Sequence, residues 1–193
     1  MLRRTYNWVL EWAHTPYGAW ALFAVAFAES SFFPIPPDVL LIALSVSRPE
    51  KSFRYAAVSS VGSVLGGIFG YVIGLYFMDA VGHHIVEIYG LADRYAYIQQ
   101  LYRQYDAWAV GIAGFTPIPY KLFTIAAGAF RIDFLVFVIA SVISRSARFF
   151  LVGLLIYKYG VGIKALIDRY FNILTVAFTV LLLLSFIVIK FVL

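Results

Sequence analysis

The chain has 193 residues, 63% of them hydrophobic and 13% charged, with a mean hydropathy of +0.87. A soluble domain is roughly half apolar and a quarter charged, so a freely soluble domain is excluded and an all-α integral membrane protein is expected. The absence of cysteine removes disulfide frameworks and thiolate metal or redox chemistry, and the net charge of +5 is too dispersed for a nucleic-acid-binding stripe.

Residues 1–16 pattern as an amphipathic helix lying at the membrane interface, with Leu2, Tyr6, Val9, Leu10 and Ala13 against Arg3, Arg4, Asn7 and Glu11. No apolar stretch with a small-residue cleavage site follows the arginines, so no removable signal peptide is expected. From residue 17 to 47 the chain is apolar except at Glu29-Ser-Ser-Phe-Phe-Pro-Ile-Pro-Pro-Asp38. Pro34, Pro36 and Pro37 each remove a backbone donor, and Pro36 pushes Ile35 toward extended geometry, so a helix entering this stretch must break. Each arm is about 22 Å long against a hydrocarbon core of about 30 Å, so neither spans alone. Basic residues flank both ends (Arg3 and Arg4; Arg48, Lys51 and Arg54), which predicts a re-entrant hairpin over 17–47 with the prolines at its tip.

A full span is predicted at 55–78. Its glycines, Gly62, Gly66, Gly67, Gly70 and Gly74, recur at helical spacing and allow close approach of another helix, with a homo-oligomer through this helix as one use. Residues 79–106 carry Asp79, Glu87, Asp93, Asp106, Arg94 and Arg103 and pattern as a polar, helical, extramembrane segment. A second apolar run, 107–131, is broken by Pro117 and Pro119 and predicts a second hairpin entering from the opposite side. A span at 134–157 follows. The domain at 17–160 is then succeeded, within 161–193, by a basic loop and a last hydrophobic helix over 170–193. The expected architecture is therefore two proline-tipped re-entrant hairpins plus three full transmembrane helices in an inverted repeat, as in many secondary transporters. The segments assigned to the cytoplasm hold eight basic and three acidic residues, and the outer ones three basic and five acidic, which places the N-terminus in the cytoplasm.

A mid-membrane carboxylate costs roughly 2.5–3.5 kcal/mol on insertion scales and commonly faces a cavity, a partner charge or a proton path. Glu29 and Asp38 flank the first tip, Lys121 follows the second, and Arg145 and Arg148 share a face of the span at 134–157. Two carboxylates against three cations leave a surplus positive charge, which suits a phosphate held by guanidinium forks. Desolvation favours the neutral form of a carboxylate, making Glu29 a candidate proton carrier. Plainer roles compete: a structural ion pair for Glu29 with Arg145 or Arg148, helix capping for Asp38, and snorkelling for Lys121. His83 and His84 lack metal-ligand spacing, and Ser30 and Ser31 lie in no nucleophile elbow. Neither a cofactor nor an enzyme activity is expected.

The pattern Glu29-x4-Pro34-x-Pro36-Pro37-Asp38, followed by Gly114-Phe115-Thr116-Pro117 and then Ala127-Gly128, resembles the DedA superfamily, also called the VTT or SNARE-associated Golgi family, and is most similar to its compact bacterial YqaA branch. The family pattern carries arginines where this chain has Gly114 and Tyr120, with Lys121 one place on. The resemblance implies a bacterial inner-membrane protein with paired re-entrant hairpins. It further implies a flippase or scramblase for undecaprenyl phosphate or phospholipid, proton coupling, and essential carboxylates at Glu29 and Asp38. The alternatives are a small-anion or ion carrier, still a transporter, and, from a different class, a membrane scaffold that uses the glycine stripe from Gly62 to Gly74 as a partner interface.

Overall fold

The computed structural model describes residues 17–32, 36–90, 92–116, 119–160 and 162. The predicted helix at 1–16, the predicted span at 170–193, Pro34 and Pro117 lie outside them. Among the described residues the regular elements are helices, with no strand. They are α1 (Gly18–Ser31), α2 (Pro37–Ser47), a 3-10 turn (Pro49–Lys51), α3 (Ser52–Phe77), a π-helical turn (Met78–Gly82), α4 (His83–Ile88), α5 (Ala92–Phe115), α6 (Tyr120–Ala129) and α7 (Phe134–Gly160).

Proline chemistry sets the breaks. Pro36 is extended (φ −68°, ψ 127°) and Pro37 opens α2 at its first position, where a missing N–H leaves no helical bond unmade. Pro119 precedes α6 in a similar extended state (φ −60°, ψ 100°). The predicted boundaries shift where no breaker intervenes. The helix containing α3 does not stop with its apolar stretch but continues without interruption from Pro49 to Ile88. Likewise, α5 begins at Ala92, so the predicted extramembrane helix and the first arm of the second hairpin are one helix.

The helix α3 is the axis of the molecule. A methyl group at Gly62 would lie 2.7 Å from the Phe23 carbonyl oxygen, one at Gly66 would collide with the Phe27 carbonyl, and one at Gly70 would lie 3.2 Å from the Ser30 carbonyl oxygen. The matched residues advance together, so α1 runs parallel to α3, and α2 must return alongside them before the turn at Pro49. On the other half of α3, Gly67 and Gly70 face Tyr120 and Thr124, and Gly74 meets Ile125 and Ala129, so α6 is also parallel to α3. Tyr95 Oη donates to the Ala129 carbonyl (2.8 Å) and Gln99 Nε2 to the Phe130 carbonyl (3.0 Å), which pairs the start of α5 with the end of α6. Both broken segments are thus antiparallel helix pairs, and they divide the glycine face of α3 between them. The glycine stripe is covered by α1 and α6 of the same chain.

Opposite contacts set α7 antiparallel to α3: Phe137 stacks near Tyr71, Arg145 reaches Ser63, and Gly153 lies against Ser52 and Ala56. Two buried clusters close the two ends, one around Leu22, Leu41, Leu44, Tyr55 and Phe149, the other around Tyr71, Val110, Tyr120, Ala127 and Phe137. Among the described residues, two helices are long and apolar enough to cross a membrane, Pro49–Ile88 and Phe134–Gly160.

Candidate functional site

Because α1 ends beside Gly70 and α6 begins beside Gly67, the two breaks meet at one level. Ser63 stands there on α3 and Arg145 on α7, each near the middle of its helix, about 17 Å from the nearer end. Into this level α7 turns Arg145 and Arg148, one helical turn apart.

Arg145 is the buried member, with a side chain 3% exposed. Its Nη2 donates to Glu29 Oε2 at 2.9 Å and its Nε to Ser63 Oγ. Ser63 Oγ is 2.7 Å from Ser30 Oγ, which in turn donates to Glu29 Oε2 at 3.1 Å, so serine, carboxylate and guanidinium form a closed ring of hydrogen bonds. The guanidinium lies over two aromatic rings, 4.8 Å from the centre of the Tyr120 ring and 4.7 Å from that of Phe149. A cation stripped of water is stabilised by such contacts. Tyr120 is itself fixed, its hydroxyl donating to Ser141 Oγ at 2.5 Å.

Arg148 is more open, at 17% exposure, and pairs with Asp38 at 21%. Its Nε and Nη2 reach the two carboxylate oxygens at 3.2 and 2.8 Å. Its Nη1 donates to the Thr116 carbonyl and, at 3.5 Å, faces that of Phe115. Those carbonyls end α5, where a helix has acceptors without intrahelical partners. Asp38 makes no capping bond to α2, whose N-cap is Pro36; its carboxylate is given to Arg148.

Of the residues singled out in the sequence, Glu29, Asp38, Arg145, Arg148, Pro36, Pro37 and Pro119 gather around the two breaks. Lys121 is half-buried on α6 beside Tyr120. Sequence reasoning missed Ser30, Ser63, Tyr120 and Phe149 as parts of the site. The available signal was that Ser63 belongs to the inward glycine face of α3, between Gly62 and Gly66. His83 sits 3.9 Å from Asp79 and edge-on to Tyr95, away from this centre. Among the described residues no group of three or more His, Cys, Asp or Glu side chains could hold a metal ion.

The sequence profile of the VTT domain matches residues 33–158. The chain belongs to the VTT-domain (DedA) family. It is 38% identical over 185 residues to an uncharacterized protein of Haemophilus influenzae, covering 96% of each chain. It is also 35% identical over 147 residues to an uncharacterized protein of Histophilus somni (76% of each). A Methanocaldococcus jannaschii protein, likewise uncharacterized, is 25% identical over 132 residues, 68% of this chain and 79% of that one. No solved structure matches the chain. VTT proteins are membrane-associated, and membership points in general to a membrane transporter or flippase.

Gly114 and Tyr120 both lie beside Arg145. A methyl group at Gly114 would collide with Ser144 Oγ and lie 3.6 Å from Arg145 Cδ, and the Tyr120 ring lies beneath the guanidinium.

Proposed function

We propose that the protein is a transporter that flips a phosphate-bearing lipid, undecaprenyl phosphate or a phospholipid, across the bacterial inner membrane together with a proton carried at Glu29. The observation that supports this reading is the placement of two carboxylate–guanidinium pairs where two proline-broken helix pairs meet beside the middle of α3. On this reading the pairs are re-entrant hairpins in inverted arrangement, the N-terminus is cytoplasmic, and residues 170–193 supply a third span.

The chemistry follows from competition for the guanidiniums. Phosphate oxygens accept from an arginine fork as carboxylates do, so a lipid phosphate and Glu29 or Asp38 are rivals for Arg145 and Arg148. Arg148, the more open, meets the headgroup first. A proton on Glu29 removes its charge, frees Arg145 for the phosphate, and leaves the site charge unchanged, since a proton and an anion arrive together. Deprotonation restores the Arg145–Glu29 pair and expels the headgroup. Lys121, at the second break, adds a further cation near the path.

The test is translocation of polyprenyl phosphate and of fluorescent phospholipid in proteoliposomes, native against Glu29→Gln, with and without an imposed pH gradient. Translocation requiring both Glu29 and the gradient is expected. Equal rates for native protein and Glu29→Gln would overturn the mechanism.

A further inference from the structure

The two broken helix pairs also meet at a polar joint outside the ion pairs. Thr124, fully buried on α6, places its Oγ1 3.1 Å from the Ser30 carbonyl oxygen at the end of α1 and 3.0 Å from the Lys121 carbonyl oxygen of its own helix. The joint is fitted against α3: a methyl group at Gly70 would collide with Thr124 Oγ1 and lie 3.2 Å from the Ser30 carbonyl oxygen, and one at Gly67 would lie 3.5 Å from Thr124 Cγ2.

The sequence makes the Ser30 carbonyl available. A continuing helix would supply its donor from the N–H four residues on. That residue is Pro34, which has no N–H to give. The second break repeats the arrangement: the residue four after Phe115 is Pro119, and the Phe115 carbonyl faces Arg148 Nη1 of α7 at 3.5 Å. Each break thus turns a carbonyl freed by proline toward a donor from outside its own helix pair.

A hydroxyl has one proton, so Thr124 donates to one of its two acceptors at a time. The carbonyl three residues back is an ordinary acceptor for a helical threonine, whereas the bond to Ser30 exists only while α6 lies against α1. Ser30 carries the effect onward, because its own Oγ donates to Glu29 Oε2 at 3.1 Å. Thr124 is therefore joined to the carboxylate through a single residue.

We propose that Thr124 is a positioning residue: through Ser30 it fixes Glu29 against Arg145 while the second helix pair is seated on the first, and it releases Glu29 when the pairs part. In the parted state the Lys121 carbonyl takes the hydroxyl, so the joint opens without leaving a buried donor unpaired. Exchange at Glu29 is thereby tied to the relative placement of the two pairs, as alternating access requires. The consequence for transport rests on the reading of Glu29 as the proton carrier; the coupling of Thr124 to Glu29 does not.

Thr124→Val removes the hydroxyl at nearly constant volume, and Thr124→Ser keeps it. In the proteoliposome assay with fluorescent phospholipid and polyprenyl phosphate, rates are taken per folded protein, measured by size exclusion. Thr124→Val should lower the maximal rate about tenfold and change the half-saturating lipid concentration less than about twofold, since Arg148, which meets the headgroup, is untouched. Thr124→Ser should restore the rate. An unchanged maximal rate in Thr124→Val would overturn the proposal, because a merely structural role lowers the yield of folded protein and not its rate. A double-variant cycle in detergent needs no transport. The loss of Tm caused by Thr124→Val should be about half or less in the Glu29→Gln background, as for coupled neighbours, whereas equal losses in both backgrounds would reduce Thr124 to a fastening between helices. A non-additive cycle in a protein whose flipping ignores Glu29→Gln would refute the transport mechanism and leave the coupling in place.

Discussion

Arg148 holds Asp38 fork to fork, Nε to Oδ1 at 3.2 Å and Nη2 to Oδ2 at 2.8 Å, while its remaining nitrogen donates to the Thr116 carbonyl. One side chain on α7 thereby ties the start of α2 to the end of α5, that is, one helix break to the other. An ammonium cannot reproduce this, because it is a point charge without the planar fork. Arg148→Lys should keep the net charge yet lose two of the directed contacts, lowering stability by about 1.5–3 kcal/mol. Transport should fall about tenfold or more. Thermal unfolding in detergent and the flipping assay check the two effects separately.

The deeper pair separates structure from function. Glu29→Gln strands a guanidinium that is almost wholly buried, which should cost about 3–5 kcal/mol. Replacing both members, Glu29→Gln with Arg145→Met, removes the stranded charge and should recover most of that loss, since an apolar replacement of a buried pair is often neutral or stabilising. Transport should stay absent in the double variant. Recovery of both folding and transport would reduce the pair to a structural fastening.

The helix breaks and the charged residues were legible in the sequence because each rests on strong local chemistry. Prolines cannot continue a helix, and a carboxylate in an apolar run is costly wherever the chain goes. Which arginine meets which carboxylate was not legible, because both guanidiniums share a helix face and only the rotation of α7 against α1 and α2 sorts them. Tyr120 and Phe149 escaped notice for a related reason: an aromatic in a membrane sequence has many ordinary places, and its role under Arg145 exists only after folding. The long helix through Ile88 was underestimated because hydropathy marks where the apolar stretch ends, whereas a helix stops at a breaker, and none stands between Phe77 and Tyr89 except Gly82.

The glycines of the seam differ sharply in what they tolerate. A methyl group at Gly128 would collide with the Tyr71 carbonyl and lie 2.9 Å from the Leu75 nitrogen, both backbone atoms that cannot turn aside. At Gly111 it would meet nothing within 4 Å. Gly128→Ala should therefore destabilise by at least the upper end of the range of about 1–3 kcal/mol seen for overpacking. Gly111→Ala, within α5, should stabilise by about 0.5–1 kcal/mol through helix propensity alone. Melting of the two variants side by side tests whether α6 packs on α3 as described.

Tyr120 offers Arg145 a ring face and offers Ser141 a hydroxyl, and the two contributions can be taken apart. Tyr120→Phe keeps the face and removes the donor. Ser141 still donates to the Phe137 carbonyl at 2.7 Å, so the loss should be about 0.5–1.5 kcal/mol, with transport close to native. Tyr120→Leu removes the face as well, and a desolvated cation–π contact is worth about 2 kcal/mol or more. The guanidinium would then keep one ring contact, Phe149, and Arg145 should lose its fixed position against Glu29. Transport should fall in Tyr120→Leu far more than in Tyr120→Phe. Equal transport in the two, measured by the same flipping assay, would mean that the ring does not position the cation and that the carboxylate and Ser63 suffice.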